Sequence, residues 1–334
     1  MSFLVFVIFI LAAAVTVYTA MKLSRFADVI SEKTAMGGML VGTILLGGAT
    51  SLPEITTSFS AVVIGNIDIA IGNMLGSNLF NLLILAGFDL FFRRRQLYHL
   101  VGKNHIYSAI LGLFLMLMVT LALVLKIDYT IIGIGVDSLL ILIVYIVGMI
   151  VISKMPSPQE NEDATKADEQ EEPEEKKSIS IKKAVIGFII AAVVIMIVGS
   201  VLSVTGDRIA VITGLGSSFV GSILIAATTS LPEAVSVFAA FRLKNPNLAV
   251  GSILGSNMFN MVIIAVSDAV YQGGAILTDV SGSNLYTAIG ISILSAILIW
   301  ALIRNCSMSL WSYSIPSIIT VIGYFVVSYF IFMG

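Results

Sequence analysis

Residues 50–89 of this chain recur, without a gap, 179 positions downstream. TSLPE stands at 50–54 and again at 229–233. Further on, NIDIAIGNMLGSNLFNLLILAGFD (66–89) lies over NPNLAVGSILGSNMFNMVIIAVSD (245–268). Gly72, Gly76, Ser77, Asn78, Phe80, Asn81 and Asp89 meet Gly251, Gly255, Ser256, Asn257, Phe259, Asn260 and Asp268. Two apolar segments matched by chance share Leu and Ile, not Pro, Glu and Asn. The chain is therefore built from two copies of one unit, and any fold it adopts must place both.

The solvent of each unit follows from composition. Apolar residues make up 58% of the 334 positions and charged residues 11%; mean hydropathy is +1.04. Soluble domains carry about 25% charged residues, so this is an all-α polytopic membrane protein. A spanning helix needs roughly 20 apolar residues. Ten segments qualify: 2–21, 36–64, 69–91, 105–125, 129–153, 181–204, 209–241, 247–271, 283–303 and 311–333. Lys22 and Arg25 follow the first apolar run instead of preceding it, which favours an uncleaved first helix over a signal peptide.

Five spans per copy is an odd number, so the second copy enters the membrane from the opposite face. Inverted repeats of this kind characterise many secondary transporters, with substrate sites near the midplane. Residues 1–153 read as the first five-helix repeat, 154–180 as a linker and 181–334 as the second repeat. The linker holds nine carboxylates and three prolines and almost nothing apolar after Met155. Such a composition predicts a solvated, disordered segment. With both termini on one side, that side carries only Lys126 and Arg208 of the 18 basic residues, and the other carries 16. The positive-inside rule then makes the linker cytoplasmic and both termini external.

Pro53 and Pro232 lack an amide hydrogen and interrupt their helices. The carbonyls three and four residues earlier lose their partner: those of Ala49 and Thr50, and of Thr228 and Thr229. Irregular backbone at that depth requires protein or a polar cavity around it. The second and seventh segments are thus read as broken helices. Glu54 and Glu233 are costly in a bilayer, by about 2.5–3.5 kcal/mol even on lenient scales, and intramembrane carboxylates usually mark an ion path. Inversion would bring the two together as a charge of -2. Around them stand hydroxyls, amides and freed carbonyls, a hard-oxygen set that suits Ca²⁺, Na⁺ or Mg²⁺. Cys306 is the sole cysteine, and His99 and His105 lie in a polar connection as interfacial residues. In the third and eighth segments, Gly-x-x-x-Gly spacing permits close backbone approach. Ser77 and Asn81 share a helix face, as do Ser256 and Asn260.

These two stretches resemble the α-repeats of the sodium/calcium exchanger family, within the cation/calcium antiporter superfamily. The family pattern is similar to G-T-S-x-P-E followed by G-N-x-x-G-S-N-x-x-[ND]. The resemblance implies ten helices in two inverted halves, and Glu54 and Glu233 as the central calcium carboxylates with the carbonyls of Thr50 and Thr229 beside them. It also implies that Ser51, Ser77, Ser230 and Ser256, with the carbonyls of Gly47 and Ala226, line flanking sodium sites. Asn81 and Asn260 would sit in the middle of these sites. The chain departs from the pattern at Ala49 and Thr228, which replace Gly, and at Ser252, whose mate is Asn73. Potassium-dependent relatives resemble one another in carrying Asp where Asn260 stands, and calcium/proton exchangers carry a G-N-x-x-E element that is absent here.

The expected function is a secondary antiporter exchanging Ca²⁺ for Na⁺ in a prokaryotic plasma membrane, with those ions and the bilayer as its partners. No cofactor, nucleic acid or obligate protein partner is called for. The alternatives are the same fold carrying Mg²⁺ or Mn²⁺, the same fold coupled to protons, or a passive cation channel. An enzyme fits least, because no nucleophile–base pair or phosphate loop is present. The first and sixth segments, read as lacking central polar residues and followed by interfacial charges, are candidates for a gate, and the resemblance implies that they slide over the ion-binding core. Asp89 and Asp268 are expected as interfacial caps, and Asp137 as a residue inside the fifth helix.

Overall fold

Long uncharged stretches have no water to bond within a bilayer, so they close their backbone hydrogen bonds internally as helices. The computed structural model describes residues 2–33, 50–154, 180–242, 246–304 and 309–333. The first half contains α1 (Ser2–Lys33), α2 (Leu52–Val63), α3 (Ile67–Phe91), α4 (Asn104–Leu125) and α5 (Val136–Lys154). The second contains α6 (Ile181–Thr213), α7 (Ser217–Thr229), α8 (Leu231–Arg242), α9 (Pro246–Asp268), α10 (Gly282–Ile303) and α11 (Leu310–Met333). Among the described residues, eight helices are long and apolar enough to span, and α7 with α8 forms a ninth span bent by 42°. The expected second span, 36–64, is represented by α2. Its first part, Gly47 included, lies outside the described residues, as does the 154–180 linker except at its two end residues.

Three boundaries differ from expectation, each for a local reason. α1 stays helical through Lys33 because no breaker follows its apolar run. α6 continues to Thr213 and stops at Gly214, whose φ of 72° gives a left-handed cap. The seventh span therefore starts at Ser217, not 209. Thr130–Ile131 pairs antiparallel with Ile134–Gly135 around Ile132 and Gly133, both at positive φ. This hairpin delays the fifth helix to Val136 and moves Asp137 from the helix interior to its first turn.

α3 and α9 form the centre. Of their apolar windows 89% and 61% are buried, against 11–39% for the six other single spans. Small side chains make that depth accessible. A Cβ on Gly76 would overlap the Ser222 backbone, and one on Gly221 would come within 2.8 Å of the Ile69 carbonyl. α3 and α7 thus meet backbone to backbone. At this contact Val220–Ile225 winds as a π-helix, a widened turn that often accompanies functional sites.

The inversion is visible in matched bonds. Asp68 at the start of α3 accepts from Ser281 N at 2.8 Å, and its mate Asn247 at the start of α9 accepts from Gly102 N at 2.8 Å. Gly102 and Ser281 are themselves 179 apart, so each central helix caps the loop preceding the fourth span of the other half.

α1 and α6 lie side by side at the edge, with Ala20, Leu23 and Ala27 packed against Ala191 and Ile195 in a core of their own. The expectation that both helices lack central polar residues is corrected for both: Thr16 and Thr19 are buried on α1, and α6 carries serines bonded to α2. Ser203 Oγ donates to the Thr57 carbonyl at 2.5 Å, and Ser200 and Ser60 share a hydroxyl bond of 2.7 Å. α6 is therefore anchored to α2, the helix that carries Glu54.

Candidate cation site

The break falls on the serine of each TSLPE. Ser51 has φ -90° and ψ 3°; Ser230 has φ -91° and ψ 1°. Both sit in the sparsely allowed bridge region that many active-site residues adopt. Leu-Pro-Glu then opens a new helix, with Pro in its first turn, where the missing N–H is one that would go unbonded anyway. Glu54 and Glu233 are consequently the third residues of α2 and α8. Each carboxylate reaches back to its own main-chain N–H, at the positive end of a helix dipole.

Both glutamates are buried, and Glu54 lies within electrostatic reach of Glu233 of the other half. Glu54 also faces the Thr229 and Ser230 hydroxyls, although Ser230 stops short of hydrogen-bond geometry. Thr229 Oγ1 lies 3.3 Å from Ser77 Oγ and donates to Asn73 Oδ1 at 3.2 Å. Asn73 Nδ2 in turn donates to Ser58 Oγ at 3.1 Å and reaches the Glu54 carbonyl at 3.5 Å.

The decisive feature is what these groups do not bond. Among the described residues, Glu54 Oε2, Glu233 Oε2, Asn81 Oδ1, Asn260 Oδ1 and Ser230 Oγ are buried oxygens without a hydrogen-bond partner. A buried acceptor left unpaired costs about 1–3 kcal/mol, more when charged. Five such oxygens, on residues from α2, α3, α8, α9 and the α7–α8 break, are a set whose chemistry a hard cation can satisfy.

Most of the expected residues are placed accordingly. Thr50, Ser51, Glu54, Ser77, Asn81, Thr229, Ser230, Glu233 and Asn260 are all buried. Ser256 is half-buried on α9, one turn before Asn260. The Ala226 carbonyl already accepts from Ser230 N at 3.0 Å and Thr229 Oγ1 at 3.3 Å. His99 packs at a tilt of 51° against Tyr313 with ring centres 5.1 Å apart, and burial together with Arg304 lowers its imidazole pKa.

Asp89 and Asp268 correct the reading of them as interfacial caps, since both are fully buried. Asp268 accepts from Ile276 N and from Gly135 N of the other half, each at 2.7 Å. Asp89 bonds the Leu97 backbone and accepts from Tyr313 and from Ser317, the latter at 2.5 Å. Leu97 and Ile276 are repeat mates, so each Asp clamps its own loop to the opposite half, Asp89 at the fifth span and Asp268 at the hairpin just before it. The matched pair at 89 and 268 was the available signal; what concealed its role was that the partners from the opposite half, Tyr313, Ser317 and Gly135, lie over 100 residues away. Asp137, whose Oδ1 accepts from Ser138 N at 2.8 Å, adjoins Asp268 at the same rim.

Residues 4–154 and 183–334 match the sodium/calcium exchanger protein family. The inner membrane protein YrbG of Escherichia coli strain K12 is 25% identical over 292 residues, covering 87% of each chain. The membrane protein MJ0091 of Methanocaldococcus jannaschii is 28% identical over 225 residues, covering 67% of each. Among solved structures, the H⁺/Ca²⁺ exchanger CAX superposes with a TM-score of 0.69 at 13% identity, covering 98% of this chain and 86% of that one. The sodium–calcium exchanger NCX_Mj superposes with a TM-score of 0.57 at 22% identity, covering 98% of both. At such identities these structures establish the shared fold. With a family match spanning nearly the whole sequence, the chain belongs to the sodium/calcium exchanger protein family.

Proposed function

We propose that the protein exchanges Ca²⁺ for Na⁺ across a prokaryotic plasma membrane by alternating access, expelling calcium with the inward sodium gradient. The observation that carries this reading is the set of buried, unpartnered oxygens on Glu54, Glu233, Asn81, Asn260 and Ser230. Two carboxylates match one divalent or two monovalent cations. Every other donor near them is a neutral hard oxygen, which suits Ca²⁺ and Na⁺ and not a thiolate- or imidazole-seeking metal. On this reading Glu54 and Glu233, with the carbonyls of Thr50 and Thr229, bind calcium. Ser51, Ser77, Ser230 and Ser256 serve sodium, with the carbonyls of Gly47 and of Ala226, the latter giving a weaker share because it already accepts from Ser230 N and Thr229 Oγ1. An unloaded site would carry two uncompensated charges through the membrane, so crossing empty is disfavoured and exchange is enforced. Both termini lie outside and the 154–180 linker inside.

A second reading keeps the fold and couples calcium to protons at the same two glutamates. It draws support from the fold shared with the H⁺/Ca²⁺ exchanger CAX, a likeness that fits either coupling ion. Purified protein in sodium-loaded liposomes decides between them. Calcium uptake that follows an outward sodium gradient at equal pH supports the proposal. Uptake that ignores sodium and follows an outward proton gradient replaces it with the second reading. Calcium flux that continues with no counter-ion inside would mean a channel, and uptake of Mg²⁺ or Mn²⁺ in place of Ca²⁺ would change the cargo.

A further inference from the structure

Asn81 and Asn260 do not choose their own orientation. A carboxamide has an acceptor prong and a donor prong, and only the first can ligate a cation. Which prong faces the site is decided one helical turn away, at Asn78 and Asn257.

The chain of constraints begins at an atom with no choice. Asn78 Nδ2 donates to the backbone carbonyl of Asn257 at 3.1 Å. A carbonyl can only accept, so the amide prong of Asn78 must face it and its Oδ1 must face the other way. There, Asn78 Oδ1 accepts from Asn260 Nδ2 at 2.8 Å. The nitrogen of Asn260 is thereby turned out of the site, and Oδ1, its buried and unpartnered atom, is left as the prong that faces a cation. The mate bond runs the other way across the interface: Asn81 Nδ2 donates to Asn257 Oδ1 at 2.9 Å, and Asn81 Oδ1 is again unpartnered. Each half thus aims the other half's amide.

We propose that Asn78 is a positioning residue that holds the Asn260 carboxamide with its oxygen toward the transported calcium, Asn257 doing the same for Asn81. The proposal rests on the exchanger reading above. Removing the acceptor at 78 lets the Asn260 amide turn over, which places N–H donors against a cation and weakens its binding. A carboxylate at 260 has two equivalent oxygens and no orientation to lose.

The test is a double-mutant cycle on calcium half-saturation in proteoliposomes. Asn78→Leu should raise half-saturation about tenfold in the parent protein and less than about twofold in the Asn260→Asp background. The mate pair should behave alike: Asn257→Leu keeps its backbone carbonyl and should raise half-saturation about tenfold in the parent protein and less than about twofold in the Asn81→Asp background. Equal rises for Asn78→Leu in both backgrounds, or no rise in the parent, would reduce Asn78 to a packing residue and overturn the proposal. Should Asn78→Leu fail to fold, the Asn257 and Asn81 cycle decides, equal rises for Asn257→Leu in both backgrounds overturning the proposal. Glu54→Gln in the same assay separates the two levels. If it transports calcium normally the cation site is misplaced, whereas its loss with an uncoupled Asn78 removes only the positioning role.

Discussion

α3 and α9 carry the same Gly-x-x-x-Gly-Ser-Asn-x-x-Asn frame, yet they are not equally enclosed. On α3, Gly72, Asn73, Gly76 and Ser77 are buried, with Gly72 and Gly76 directly against α7. On α9, the mates Gly251, Ser252, Gly255 and Ser256 all keep partial exposure. Asn73 ties Ser58 and Thr229 to α3 with bonds of 3.1 and 3.2 Å. Ser252 is too short to repeat that span. Inversion therefore supplies two half-sites of the same chemistry, one of them bridged by an amide that Ser252 cannot replace in the other.

The largest contrast should come from the glycines. Gly76→Ala must push the Ser222 backbone away and should destabilise the protein by about 3 kcal/mol, as overpacking at a rigid contact does. Among the described residues a Cβ at 255 meets nothing within 4 Å, so Gly255→Ala should cost less, under about 1 kcal/mol. Thermal unfolding in detergent reads both, and equal effects would break the comparison. Accessibility should differ next. With Cys306→Ser removing the native thiol, Ser252→Cys should react with a methanethiosulfonate reagent at least about tenfold faster than Asn73→Cys, a gap near 1.4 kcal/mol. Similar rates would mean the two faces are equally closed. The smallest effect should be on affinity. Asn73→Ala leaves the Thr229 and Ser58 hydroxyls without their bridge and should weaken calcium half-saturation by about 1 kcal/mol, whereas Ser252→Ala should shift it by under about 0.5 kcal/mol.

Much of this site was legible because the chain states it twice. Pro53 and Pro232 located the breaks, and Glu54 and Glu233 located the charge, from residue type and burial cost alone. Asn78 and Asn257 could not be separated from simple helix glue in the sequence, since amide direction depends on which main-chain carbonyl is opposite. Asp89 and Asp268 were misread for the same reason: their partners Tyr313, Ser317 and Gly135 come from the opposite half. The start of α5 was missed because apolar Tyr129–Gly135 reads equally well as helix, and only the positive φ at Ile132 and Gly133 turns it into a hairpin. The serines on α6 went unread as anchors because a hydroxyl in a membrane helix commonly bonds its own preceding turn, and Ser200 and Ser203 do that as well.

Whether two buried glutamates form one cation cage is tested most directly by calcium titration calorimetry on the purified protein, with Glu54→Gln and Glu233→Gln beside the parent. Removing either charge from a buried ion site should cost about 3–5 kcal/mol, a loss of affinity of about 100-fold or more in each variant alike. Parent-like calcium binding in both variants would contradict the account, because no oxygen set built without those two carboxylates could hold the ion at that depth.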